Sequence, residues 1–110
     1  MEAASTVADA PIPQHMRALA EANRVRLARA RLKRSVANGD VDAADVVRSC
    51  PWEAETMTIG ELLRSQRRWG RTRARKFLAP LALNENRELG RLTERQRRLL
   101  VRALEEKRRS

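Results

Sequence analysis

From Arg64 to Lys76 the chain carries six arginines and one lysine, with no acid among them. One glycine, Gly70, sits in the middle of this run, directly after Trp69. Residues of these types at this spacing suit the holding of phosphate. Glycine has no Cβ, so the backbone there can approach a phosphate closely. The amides that open a following helix are unpaired, and the helix dipole favours an anion beside them. Arginines on either side add charge and bidentate hydrogen bonds. On this reading Gly70, Arg71, Thr72 and Arg73 form a cradle, and Arg67, Arg68, Arg75 and Lys76 flank it. Such contacts go to a nucleic-acid backbone and position a protein without reading bases. The competing reading makes Gly70 a plain helix C-cap and the arginines a solubilising surface. Charge and turn together favour phosphate.

Elsewhere the chain offers little for catalysis. Cys50 is the only cysteine and His15 the only histidine, so neither an intrachain disulfide nor a zinc-finger spacing can be written. There is no nucleophile–histidine–acid set and no Walker loop. Asp42 and Asp45 are three apart, but nothing nearby would tune them as an acid–base pair. The chain is read as non-enzymatic, with no cofactor, no metal and no small-molecule substrate.

The formal net charge is +10, nearly all of it arginine, since Lys33, Lys76 and Lys107 are the only lysines. Such a charge favours a polyanionic partner, nucleic acid first and an anionic membrane surface second. No apolar run is long enough to span a bilayer. The opening residues carry acids and no long apolar run, so no secretory signal is read there. With 110 residues, one small domain is expected, its core built from Leu, Ala and Val because only 3% of residues are aromatic.

The elements that must position the cations are helices. Residues 1–13 read as a disordered tail. A helix follows from Gln14 to about Ala37, free of Gly and Pro and rich in Ala, Arg and Leu. It shows two apolar stripes, one of Met16, Leu19, Ala20, Leu27 and Ala30, the other of Ala18, Val25, Leu32 and Val36. Two stripes suggest a helix covered at least partly on two sides. Arg17, Arg24 and Arg31 form a basic row on one flank, and Arg26, Arg29 and Lys33 another. These rows are read as lying along phosphates or as a solvated face; with Glu21 the only acid between Arg17 and Arg34, they lean towards DNA.

Asn38-Gly39 ends the long helix. Asp40 or Asp42 can cap a short helix from Ala43 to Arg48, closed by Pro51. Thr58 and Glu61 have the spacing of a capping box, for a helix with Ile59, Leu62 and Leu63 inward. After the Gly70 turn, a helix from about Arg71 places Ala74, Phe77 and Leu78 inward and stops or kinks at Pro80. Residues 81–91 form a connection. Thr93 and Gln96 make a second capping box, opening a helix that buries Leu99, Leu100, Ala103 and Leu104 and ends in a flexible basic KRRS tail. No strand pattern occurs, so the class is all-α. Trp52 reads as a core or lid residue and Cys50 as a small buried one. Trp69 has two readings, a wedge between base steps and a packing residue between helices, of which packing is the stronger.

The run MTIGELL at 57–63, followed six residues later by GRTRA at 70–74, resembles the actinobacterial type of integration host factor. The long basic helix ending in RLK at 31–33, the DVV at 45–47, and Leu92-Thr93 with Gln96 before a leucine-rich helix match too. The resemblance spans about residues 14–104 and rests on order and spacing rather than on any one motif. It implies a long N-terminal helix packed on a compact helical head of helix-two-turns-helix type. It also implies a nucleoid-associated protein that binds double-stranded DNA with little sequence preference, bends or compacts it, and assists recombination. This chain departs from the family's pattern at two places. The hairpin Pro-Gly-Val-Gly-Lys is here Arg67-Arg68-Trp69-Gly70-Arg71; if the second position needs a positive φ, Arg68 carries strain of about 1 kcal/mol or more. The family's second contact segment, Arg-Arg-x-Arg, here reads Arg87-Glu88-Leu89-Gly90, with Arg91 and Arg95 placed to compensate.

The expected organisation is a tail at 1–13, one helical DNA-binding domain at 14–107 (long helix 14–38, head 40–107) and a basic tail at 108–110. The expected DNA-binding residues are Arg67, Arg68, Gly70, Arg71, Thr72, Arg73, Arg75, Lys76, Arg87 and Arg91, with secondary contacts at Arg17, Arg24, Arg31 and Lys33. The expected partner is double-stranded DNA, bound by a monomer in the cytoplasm at the nucleoid, with a recombinase or another nucleoid protein as a further partner and no membrane. The alternatives are an RNA- or ribosome-associated protein and a protein-interaction module that uses the Ala18, Val25, Leu32, Val36 stripe.

Overall fold

The computed structural model describes residues 13–109, so the tail read over 1–13 lies outside it except for Pro13. The chain is all-α, and among the described residues only one isolated antiparallel bridge, Thr58 with Glu88, has β character. Helix α1, Gln14–Ala37, starts where the Pro13 carbonyl accepts the amides of Met16 and Arg17. It ends at Gly39, whose φ is 83°. There the Asp40 N–H reaches back to the Ser35 carbonyl at 2.9 Å and the Gly39 N–H to Val36 at 3.2 Å. This pair of bonds is a Schellman motif, and it needs the left-handed residue that glycine supplies at least cost.

Four further α-helices build the head: α2 (Ala43–Ser49), α3 (Ile59–Ser65), α4 (Arg71–Leu78) and α5 (Glu94–Arg109). Short 3₁₀ turns at Trp52–Ala54, Ala79–Leu81 and Leu89–Arg91 join them. Pro80 lies in the second of these turns and closes α4 as its ring requires. Thr93 and Gln96 exchange both capping-box bonds, at 3.0 and 3.1 Å. The Thr58 box forms only by half. Its hydroxyl accepts the Glu61 N–H at 3.1 Å, but the Glu61 carboxylate turns to Lys33 of α1, 2.5 Å away. Asp42 sits at the N-cap of α2 without a side-chain cap bond; its carboxylate pairs with Arg108 of α5 instead.

The core is aliphatic. Met57, Ile59, Leu62, Leu63, Leu89 and Leu100 are fully enclosed, with Val46 and Val47 of α2. The segment 84–91 runs along 55–60, where the amides of Ile59 and Gly60 donate to the carbonyls of Arg87 and Glu85 at 2.9 and 2.8 Å. The first-turn amides of α3 are thus closed by the chain itself. Arg97 adds a second clasp, donating to the carbonyls of Val47 at 2.7 Å and Leu89 at 3.0 Å.

Three sequence expectations about burial fail, wholly or in part. Leu99 faces outward at 41% exposed, because the buried side of α5 is set by Leu100, Val101 and Leu104. Trp52 is 45% exposed and lies under the Arg24 guanidinium, which leaves only the lid half of its core-or-lid reading. The long helix is covered on one side only: Val36 is buried and Val25 and Leu32 are half-buried, while Met16, Leu19, Ala20 and Leu27 face solvent. Its first eleven residues are all exposed. A 24-residue helix is about 36 Å long, and its free half draws the molecule out to 63 × 27 × 22 Å.

Candidate nucleic-acid interface

Helix α3 hands over to α4 through a tight turn. The Trp69 N–H donates to the Gln66 carbonyl at 3.1 Å, which closes four residues. Within it Arg68 has φ 70°. A turn with positive φ at its third residue favours glycine, so this arginine carries the strain that the altered hairpin implied, about 1 kcal/mol.

Trp69 fixes the turn to α4. Its indole meets Phe77 edge to face, with centroids 5.2 Å apart, and the Arg73 guanidinium lies 4.4 Å from the indole centre. It is half-buried against the core and packs between elements, with one face covered by a cation.

Gly70 is the N-cap of α4, not a C-cap; its φ of −98° and ψ of −174° are extended backbone that any residue adopts. A Cβ built there would meet no atom within 4 Å. Conformation therefore does not demand glycine here. Its consequence is openness: no cap side chain covers the helix start. The amides of Arg71, Thr72 and Arg73 find no acceptor among the described residues; the first internal bond runs from the Ala74 N–H to the Gly70 carbonyl. These amides carry the partial positive charge of a helix N-terminus. They border an open depression lined by Gly70, Arg71, Thr72, Arg73, Lys76, Phe77 and Lys107, about 630 Å³ in volume.

The structure gathers some of the expected cations here and directs others away. Arg67, Arg68, Arg71 and Lys76 are exposed and have no acidic partner among the described residues. Arg75 instead pairs with Glu85 at 2.6 Å, and the same carboxylate meets Arg64 at 3.5 Å. Arg87 and Arg91 border a separate open depression with Asn86 and Glu88. There Arg87 donates to the Arg91 carbonyl at 3.1 Å, and Arg91 pairs with Glu88 at 3.1 Å. On α1, Arg17 and Arg31 are exposed and have no acidic partner among the described residues; Arg24 pairs with Glu21 at 3.3 Å, and Lys33 is spent on Glu61.

Lys107 belongs to the depression at the turn, a role that reading it as part of a flexible tail had hidden. Helix α5 runs to Arg109, so Lys107 and Arg108 continue a regular helix. Lys107 follows Leu100 and Leu104 at helical spacing, which was the available signal that it lies at the inner end of α5. Among the described residues no cluster of His, Cys, Asp and Glu could hold a metal ion, and no helix is long and apolar enough to cross a membrane.

Comparison with protein-family models and with curated proteins gives no match. Among solved structures, the chain is similar to that of sIHF bound to an 8bp palindromic DNA. The TM-score is 0.69 at 23% identity, and the match covers 76% of this chain and 97% of the other. The likeness is one of fold: a long helix on a compact helical head, shared with sIHF.

Proposed function

We propose that this protein binds double-stranded DNA with little sequence preference, gripping backbone phosphates at the start of α4. The observation that carries this reading is the set of unpaired amides at Arg71, Thr72 and Arg73, bordered by Arg71, Arg73, Lys76 and Lys107, with Arg67 and Arg68 exposed on the preceding turn. A phosphate there meets backbone donors, a favourable dipole and cations at once. The sIHF structure supports the reading, because a chain of the same fold holds DNA. The net charge of +10 supplies the long-range attraction.

Arg87 and Arg91 provide a second hold, with Arg17, Arg24 and Arg31 along α1 as weaker contacts. Two holds on one molecule would let it bend a duplex. A monomer acting in this way at the nucleoid would serve compaction or assist a recombinase. Binding without catalysis is the role this site fits.

The test is fluorescence anisotropy on a mixed-sequence duplex across a salt series, with wild type and an Arg71→Gln, Lys76→Gln variant. Wild type is expected to bind with a steep log–log salt slope, about −0.9 for each phosphate neutralised. The variant's slope should be shallower by about two phosphates' worth. Equal slopes would move the DNA site off the turn.

A further inference from the structure

Met16, Leu19 and Leu27 of α1 are 52%, 62% and 58% exposed, and they stand on the half of the helix that projects from the head. Their register carries information. Met16, Ala20, Asn23, Leu27 and Ala30 recur at alternating spacings of four and three, which is the seam of a two-stranded coiled coil. In that register Arg17, Arg24 and Arg31 line one edge of the seam, and Leu19, Arg26 and Lys33 the other. These edge positions choose the partner of a coiled-coil helix. Here five of the six are basic.

The occupant follows from that pattern. DNA phosphates would account for the arginines but not for the exposed apolar side chains between them. A second copy of this chain would set arginine against arginine along the seam, which repels. A lipid surface suits the face poorly, because Asn23 sits in its middle and no aromatic side chain lies on it. A helical partner accommodates Asn23, since one polar seam residue fixes register. Arg24 is held by Glu21 and the Trp52 ring. We propose that this face of α1 docks an acidic amphipathic helix of another protein, whose apolar side chains meet Met16 and Leu27 and whose carboxylates meet Arg17, Arg26 and Arg31. Lys33 is tied to Glu61, so the docking segment closes near Arg31. It is then about 24 Å long. The inference shares Arg17 and Arg31 with the weaker DNA contacts proposed above but uses no residue of the Gly70 turn, so the two readings fail separately.

The experiment titrates the full chain into a labelled synthetic peptide with Asn opposite Asn23, Leu at the other seam positions and Glu at both edges, read by anisotropy and by helix gain in circular dichroism. Controls are a scrambled peptide of the same composition and a Met16→Gln, Leu27→Gln variant of the chain. The expected result is binding of the patterned peptide with helix gain, at least tenfold weaker for the scrambled peptide and for the variant. The variant should keep its affinity for duplex DNA, and the Arg71→Gln, Lys76→Gln variant should keep its affinity for the peptide. No binding, or equal binding of the scrambled peptide or by the Met16 and Leu27 variant, would overturn the proposal. So would sedimentation showing a dimer that Leu27→Gln dissociates, which assigns the face to a second copy. Adsorption to phosphatidylglycerol vesicles that depends on Leu27, without peptide binding, would assign it to lipid.

Discussion

The Arg73 guanidinium lies 4.4 Å from the centre of the Trp69 indole, so the residue before Gly70 and a residue one turn into α4 are locked together. With Phe77 against the ring edge, this stack holds the turn on the helix whose first amides face solvent. Trp69→Ala should remove that pillar. A half-buried indole with an aromatic partner is worth about 2 kcal/mol or more. Chemical denaturation should show a loss of that size, and duplex affinity should fall although no cation has been deleted. Trp69→Phe should keep most of both.

Arg68 offers an opposite case, in which a change stabilises the fold. Its φ of 70° is one that glycine adopts without cost. Arg68→Gly should raise unfolding stability by about 0.5–1 kcal/mol, partly offset by the freer unfolded chain. Thermal unfolding measures the gain, and the same variant should bind DNA with a salt slope shallower by about one phosphate. A drop in melting temperature would show that the arginine's contacts outweigh its backbone strain.

Glu85 restrains two cations, Arg75 at 2.6 Å and Arg64 at 3.5 Å. Glu85→Gln should release both. Its backbone carbonyl, which holds the Gly60 amide, is untouched. Duplex affinity at low salt should rise several-fold, with a steeper salt slope, as freed cations meet phosphates. Unchanged affinity would mean that neither arginine reaches DNA.

Glu61 gives the fold a pH dependence. Burial alone would raise its carboxyl, but the Lys33 ammonium, with Arg29 and the Thr58 backbone N–H nearby, outweighs that and holds it below the ordinary value of 4.5. A carboxyl lowered on folding contributes stability above its unfolded value and loses it as pH falls through the folded one. Denaturant midpoints should therefore fall below about pH 4.5 in wild type and less steeply in Glu61→Gln. The difference should stay under about 1 kcal/mol, because the pair is partly exposed. It should appear as a weaker attachment of α1 to α3.

What could be read from sequence was what is local. The Asn38-Gly39 stop, the Thr58 and Thr93 caps and the break at Pro80 depend on a few adjacent residues, and each stands where its chemistry requires. The inward Ile59, Leu62, Leu63, Ala74 and Leu78 follow from helical period alone. What escaped depends on residues far apart in the chain. Nothing near Glu61 announces that Lys33 will take its carboxylate. Nothing near Arg97 shows that it will clasp the Val47 and Leu89 carbonyls. A period also shows that two faces of α1 are apolar without saying which one the head covers. The basic run around Gly70 was legible as charge, but the pairing that removes Arg75 and the α5 path that adds Lys107 are tertiary facts.

The central claim is that the amides opening α4 hold a phosphate, and amide chemical shifts report on them directly. A titration of ¹⁵N-labelled protein with a short mixed-sequence duplex should move the Arg71, Thr72 and Arg73 amides farthest, with Gly70 and Lys107 following and the shifts shrinking as salt is raised. If those three amides stay in place while the residues of α1 shift, the turn is not a phosphate cradle and DNA is held along the long helix.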